Sequence, residues 1–290
     1  MLQLLQNLRD GRTVLEEVPA PGPSAGSLLI QTSRSLVSAG TERMLVNFGK
    51  AGWLGKTRQQ PEKVRAVWAK VRAEGLLATL SAVRSKLNQP IPLGYCQVGR
   101  VLDAGGADWV RTGDRVLSNG PHAQVVSISQ GMCAKIPDSV DDESATFTPL
   151  ASVALQGINL LETKAGDKVV VMGLGLIGQL AVRVLQAAGC EVMGFDPSAE
   201  RRKLAERFGA RIAADGADPV TAALSWSDGQ GVRGVLITAS TSSHELVSQA
   251  ARSCAPRGKV VLVGVVGLQL NRADFYSREV MFQVSCSYGA

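Results

Sequence analysis

Residues 168–196 read KVVVMGLGLIGQLAVRVLQAAGCEVMGFD. Val169, Val170, Val171 and Met172 form an unbroken apolar run of the kind a parallel strand needs when both of its faces are covered. Gly173 permits a tight turn at the strand's end. Gly175, without a Cβ, lets a pyrophosphate approach the backbone, and Gly178 lets the following helix lie close to the strand. Leu176 and Ile177 complete the loop and first helical turn, whose free N–H groups and positive dipole end favour an anion. Ile177, Leu180, Ala181, Val184, Leu185 and Ala188 share one helical face, while Gln179, Arg183 and Gln186 fall elsewhere. Gly189 ends the helix, Glu191 to Phe195 forms a second strand, and Asp196 stands where an acid accepts hydrogen bonds from an adenosine ribose. The whole predicts a dinucleotide-binding βαβ unit with NAD preferred, since Asp196 would repel the 2′-phosphate of NADP. A chain with 31 glycines can produce such a motif by accident, so an FAD pocket, an S-adenosylmethionine pocket or a purely structural turn are the alternatives.

Outward from this unit, 290 residues at 45% hydrophobic content allow one large core or two ordinary ones. The first ten residues carry no signal-peptide core, and no run approaches the roughly 18 apolar residues of a membrane span. A soluble cytoplasmic protein is expected. Cys96, Cys133, Cys190, Cys254 and Cys286 are scattered without a C-x-x-C pair, which speaks for reduced thiols and against a disulfide framework. The net charge of +6 is local: residues 43–90 hold ten Lys/Arg and two Glu, a surplus of eight, and the rest of the chain is slightly acidic. Within that basic segment Val64, Val67, Trp68 and Val71, then Leu76, Leu80, Val83 and Leu87, have helical spacing. Lys63, Arg65, Lys70 and Arg72 then form a solvated face or a lid attracting an anionic substrate. Nucleic acid is the least supported partner, because no aromatic stacking pattern accompanies the charge.

Residues 1–42 read as short strands separated by Asp10-Gly11 and Pro19-Ala-Pro-Gly-Pro23, and strands return at Gln97–Asp103, Asp114–Ser118, Ala123–Ser129 and Cys133–Ile136. After Asp196, strands are expected at Arg211–Ala213, Val232–Thr238, Lys259–Val263 and Val280–Ser285, with helices at Pro219–Ser225 and Ser243–Ser253. The last strand would complete a six-stranded parallel sheet.

Pro19 to Glu42, Gly94 to Gly99, Gly113-Asp114-Arg115-Val116 and the Ala165-to-Gly175 segment together resemble the medium-chain dehydrogenase/reductase superfamily. Within it the chain looks closest to zinc-free, two-domain oxidoreductases of polysaccharide gene clusters, and more distantly to bacteriochlorophyllide dehydrogenases. The resemblance implies an α/β chain in which a GroES-like β domain (1–145, with the basic helical insert at about 43–90) precedes a Rossmann domain (146–290). Relatives continue into a helix that returns to the β domain, so that segment is expected to be missing. Where zinc-bearing members place ligands, this chain has Ala39-Gly40-Thr41-Glu42, Gly94-Tyr95-Cys96 and Ala151. No zinc is expected, since a zinc ion takes about four N, S or O ligands.

The resemblance also implies that Ala239, Ser240, Gly264, Val265 and Val266 line the cofactor, or else are ordinary strand-end loops, and that Arg201 contacts the adenosine ribose, or else is an exposed helix charge. Ser38, Thr41, Glu42, Tyr95 and His122 are the polar candidates for handling the alcohol proton. Thr41 and Glu42 at a strand end read equally well as structural, Tyr95 and Cys96 as pocket lining, and His122 as a solvated loop residue. The expected activity is hydride transfer between NAD and an alcohol or carbonyl of a small molecule, a sugar or nucleotide-sugar among the candidates. Reduction of an activated C=C bond and non-catalytic NAD binding are the alternatives. Phe282, Val284 and Cys286 either pair across a homodimer or fill the sheet.

Overall fold

The structure is a computed structural model that describes residues 1–8, 10–50 and 89–289. The two amphipathic helices expected within residues 61–87, with Lys63, Arg65, Lys70 and Arg72, lie outside the described residues. The chain divides into two compact units, Met1–Pro149 and Leu150–Ala290. The division falls four residues beyond the 145/146 boundary read from the sequence, inside the helix Thr148–Leu161.

The first unit is built from short antiparallel strands. β1 (Leu2–Gln6) lies between β2 (Thr13–Glu17) and β4 (Ile91–Pro92). A second, five-stranded sheet has the order β7 (Val125–Ser129), β3 (Ser27–Ser35), β5 (Gln97–Asp103), β6 (Arg115–Ser118), β8 (Cys133–Lys135). Alternate residues of these strands meet in a core of Leu28, Ile30, Val101, Val116 and Val126, as the period-2 geometry of strands requires. A helix, Thr41–Lys50, follows β3. The expectation that Thr41 and Glu42 end a strand is therefore corrected. Both occupy the helix's first turn, where a carboxylate suits the positive end of the dipole.

The second unit is a six-stranded parallel sheet of order β11 (Arg211–Ile212), β10 (Glu191–Phe195), β9 (Lys168–Met172), β12 (Val232–Ile237), β13 (Cys254–Leu262), β14 (Met281–Val284). The chain starts in the middle at β9, winds outward to β11, then crosses back to β12. This reversal is the switch point of a doubly wound Rossmann sheet. Val169 and Val171 pack on one face with Ala181, Val182 and Leu185 of the helix Leu176–Ala187. Val170 and Met172 pack on the other with Ala223, Val247, Ala250 and Ala251 of the helices Pro219–Trp226 and Glu245–Ser253. Helices on both faces explain why β9 is apolar at four consecutive positions, Val169 to Met172, rather than at alternate ones. Among the described residues no helix is long and apolar enough to cross a membrane.

Candidate cofactor cradle and hydroxyl cluster

The glycine loop sits at the carboxyl end of β9, beside the switch point. Gly173 adopts φ +98°, and a Cβ there would lie 2.6 Å from the backbone N of Ala239. A Cβ on Gly178 would lie 2.0 Å from the carbonyl oxygen of Gly173. These two glycines are fixed by close packing of strand, loop and helix. Gly175 differs, because nothing lies within 4 Å of a Cβ built on it. It caps the helix Leu176–Ala187 without any side-chain hydrogen bond, so the N–H groups of the first turn, including Leu176 and Ile177, lack a side-chain cap. Open space over a glycine at an uncapped helix N-terminus is what a pyrophosphate requires.

Side chains hold this loop from several directions. Asp196, at the end of β10 and with its side chain only 3% exposed, accepts from the backbone N–H of Leu174 through Oδ2 (2.8 Å) and from that of Ser198 through Oδ1 (2.8 Å). Arg201, in the first turn of the helix Ala199–Arg207, brings Nη1 to 3.5 Å from the same Oδ2 and is otherwise largely exposed. Thr238 donates its hydroxyl to the Gly173 carbonyl. Ala239 and Ser240 follow β12 and Gly264 to Val266 follow β13. The two loops are tied by hydrogen bonds from Val265 N to Ala239 O (3.1 Å) and Thr241 N to Val265 O (2.9 Å). Ala239 packs against Gly173, so these loops share the carboxyl edge of the sheet with the glycine loop.

Sequence reasoning missed Gln179. Helical periodicity puts it off the apolar face, yet it is 6% exposed, because the helix Ala199–Arg207 covers that side. Its Nε2 donates to Leu174 O (3.0 Å) and to Arg201 O (2.8 Å), while Oε1 is buried and finds no partner among the described residues. An amide directly after the last motif glycine is the signal that could have pointed to it.

In the first unit the structure brings all five polar candidates together, with Ser35 as a sixth member. The Tyr95 hydroxyl lies 2.7 Å from Ser38 Oγ and 3.2 Å from Thr41 Oγ1. The buried Glu42 accepts from Ser38 N through Oε1 (2.7 Å) and meets His122 Nε2 through Oε2 (3.0 Å). His122 Nδ1 is 2.8 Å from Ser35 Oγ. The reading of His122 as a solvated loop residue is corrected. Its backbone N–H donates to Leu93 O, its carbonyl accepts from Leu4 N, and the ring is sheltered against Gly94. Four hydroxyls, those of Ser35, Ser38, Thr41 and Tyr95, thus gather around one carboxylate–imidazole pair.

Both ring nitrogens of His122 are already engaged, Nδ1 with Ser35 and Nε2 with Glu42. Burial, with a smaller contribution from the charge of Glu42, pushes the Cys96 thiol up to about 12, opposing the thiolate that a metal needs. Among the described residues no group of three or more His, Cys, Asp or Glu side chains could hold a metal ion.

Residues 177–289 match the zinc-binding dehydrogenase family. The chain is 27% identical over 222 residues to (R,R)-butanediol dehydrogenase of Bacillus subtilis (strain 168), an alignment covering 66% of this chain and 64% of that protein. It is 29% identical over 209 residues to D-guloside 3-dehydrogenase of Escherichia coli (strain K12), covering 67% and 59%. The chain therefore spans about three fifths of the length of these curated relatives. In fold it is similar to the crystal structure of galactitol-1-phosphate dehydrogenase from Escherichia coli, with a TM-score of 0.76 at 18% identity over 99% of this chain and 83% of that one.

Proposed function

Since the chain belongs to the alcohol dehydrogenase-like medium-chain dehydrogenases/reductases, we propose that it is an NAD-dependent oxidoreductase acting on a secondary alcohol or its ketone without zinc. The observation that carries this reading is the Asp196 carboxylate, seated at the end of β10 and bonded to the glycine loop at Leu174. Bound NAD supplies the hydride acceptor, or NADH the donor. Gly173, Gly175, Leu176, Ile177 and Gly178 would hold its pyrophosphate, Asp196 and Arg201 its adenosine ribose, and Ala239, Ser240, Gly264, Val265 and Val266 the edge of the site.

The proton that leaves or joins the substrate oxygen is handled by the hydroxyl cluster. Tyr95 O–H exchanges it, Ser38 and Thr41 orient that hydroxyl, and Glu42 and His122 hold the segment that carries Ser38. The relatives and the structural neighbour are named for a vicinal diol, a glycoside and a polyol phosphate. That common chemistry supports a polyhydroxylated small molecule as substrate.

The test is a fluorescence titration of the chain with NADH and NADPH. It is followed by turnover of 2,3-butanediol, an alditol phosphate and a hexoside with NAD, each with and without a chelator. Selective NADH binding and chelator-insensitive formation of a ketone are expected, with Tyr95→Phe slowing turnover while NADH binding is kept. Failure to bind either cofactor overturns the reading, and activity lost to the chelator and restored by zinc overturns its metal-independent part.

A further inference from the structure

We infer that Gln179 determines the selectivity of the site for NADH over NADPH, acting as a positioning residue through Arg201. The inference rests on the NAD reading above and adds the group that enforces it. The Gln179 amide bridges two separate backbone segments: Leu174 in the glycine loop and Arg201 in the first turn of the helix Ala199–Arg207. That bridge fixes the start of the helix relative to the loop. Arg201 reaches back from the same turn to Asp196, whose other contacts are Leu174 N and Ser198 N. Leu174 and Arg201 are therefore each joined to both Gln179 and Asp196, in one closed ring of contacts.

Two features separate this arrangement from simple packing. The side chain is buried, yet one of its polar atoms, Oε1, has no partner among the described residues. An apolar residue of the same size would avoid burying an unmatched acceptor, which is unfavourable. The two carbonyls it does satisfy also belong to the two segments that frame the adenosine ribose. While the helix start is held, the Arg201 guanidinium stays on Asp196 and the carboxylate confronts any 2′-phosphate. If the bridge is lost, the turn can shift and the exposed Arg201 side chain is free to pair with a phosphate instead.

The experiment measures the Kd of NADH and of NADPH by nicotinamide fluorescence for the full chain, for Gln179→Leu, and for Gln179→Leu combined with Arg201→Ala. Thermal unfolding of each accompanies the titrations. The expected result is that the NADPH:NADH ratio of Kd values falls by about tenfold in Gln179→Leu, as loss of the bridge implies, and that the gain in NADPH binding disappears in the double variant. A merely structural role would weaken both cofactors alike and leave the ratio where it was. Gln179→Met, which fills the space without a donor, serves if the leucine variant does not fold. An unchanged ratio, or a changed ratio that survives removal of Arg201, overturns the inference while the NAD reading stands. A wild-type chain that binds neither cofactor overturns both.

Discussion

His122 and Glu42 meet at 3.0 Å, Nε2 to Oε2, with side chains only 10% and 7% exposed. They come from a loop of the first unit and from the first turn of the helix Thr41–Lys50, 80 residues apart in the chain. Replacing Glu42 with Ala would strand two buried donors or acceptors, the N–H of Ser38 and the His122 ring nitrogen. Leaving such groups unsatisfied costs about 1–3 kcal/mol each. Glu42→Ala is expected to lower the urea midpoint clearly more than Glu42→Gln, which keeps an oxygen for Ser38. Equal midpoints for the two variants would mean that the carboxylate is not the organising group.

Gly94→Ala should disturb the same cluster from the backbone side. Gly94 has φ +94°, and an added Cβ would lie 2.7 Å from Cγ and Cδ2 of the His122 ring. Strain at a positive φ costs about 1–3 kcal/mol, and the ring must move away from Glu42 as well. The expected outcome is a lower melting temperature and a changed His122 imidazole signal in NMR. Retention of both would contradict the packing described.

The motif glycines divide into two kinds. Gly178→Ala forces a Cβ to 2.0 Å from Gly173 O, so both stability and NADH binding should be lost. Gly175→Ala meets nothing within 4 Å, so the melting temperature should stay within a few degrees while NADH binding weakens by about tenfold or more, because the methyl occupies the pyrophosphate's approach. If Gly175→Ala bound NADH as well as the wild type, the cradle would lie elsewhere.

Three thiols make the fold sensitive to alkali. Burial raises Cys96 and Cys254 to about 12 and Cys133 to about 11, from the usual 9.0. In the unfolded chain these thiols ionise near the ordinary value, so above it the unfolded state has fewer bound protons than the folded state. Their contribution to stability is intact below about pH 9 and declines as the pH climbs toward the folded values. Urea unfolding at pH 8 and pH 10.5 should show a loss that is smaller in Cys254→Ala. A loss identical in wild type and variant would assign it to other groups.

Much of the second unit was legible in residues 168–196 because the βαβ pattern is local. The observed β9, the helix Leu176–Ala187 and β10 fall where apolar runs and glycines put them. The six-stranded parallel sheet followed from alternating strands and helices, whereas its strand order emerges only in the structure. Gln179 was not legible, since periodicity describes one helix and its burial comes from another. The cluster of Ser35, Ser38, Thr41, Glu42, Tyr95 and His122 was legible only as a set of candidates. Its contacts depend on how β1, β4 and the loop at residues 119–124 cross, which no local pattern encodes.

Leu174 in the glycine loop is gripped at both ends, its N–H by Asp196 and its carbonyl by Gln179, while Gly173 beside it is held by Phe195 and Thr238. The loop therefore has its shape before any nucleotide arrives, and little conformational entropy is left to lose on association. Docking should be fast and close to rigid-body, with discrimination between nucleotides expressed in how quickly they leave.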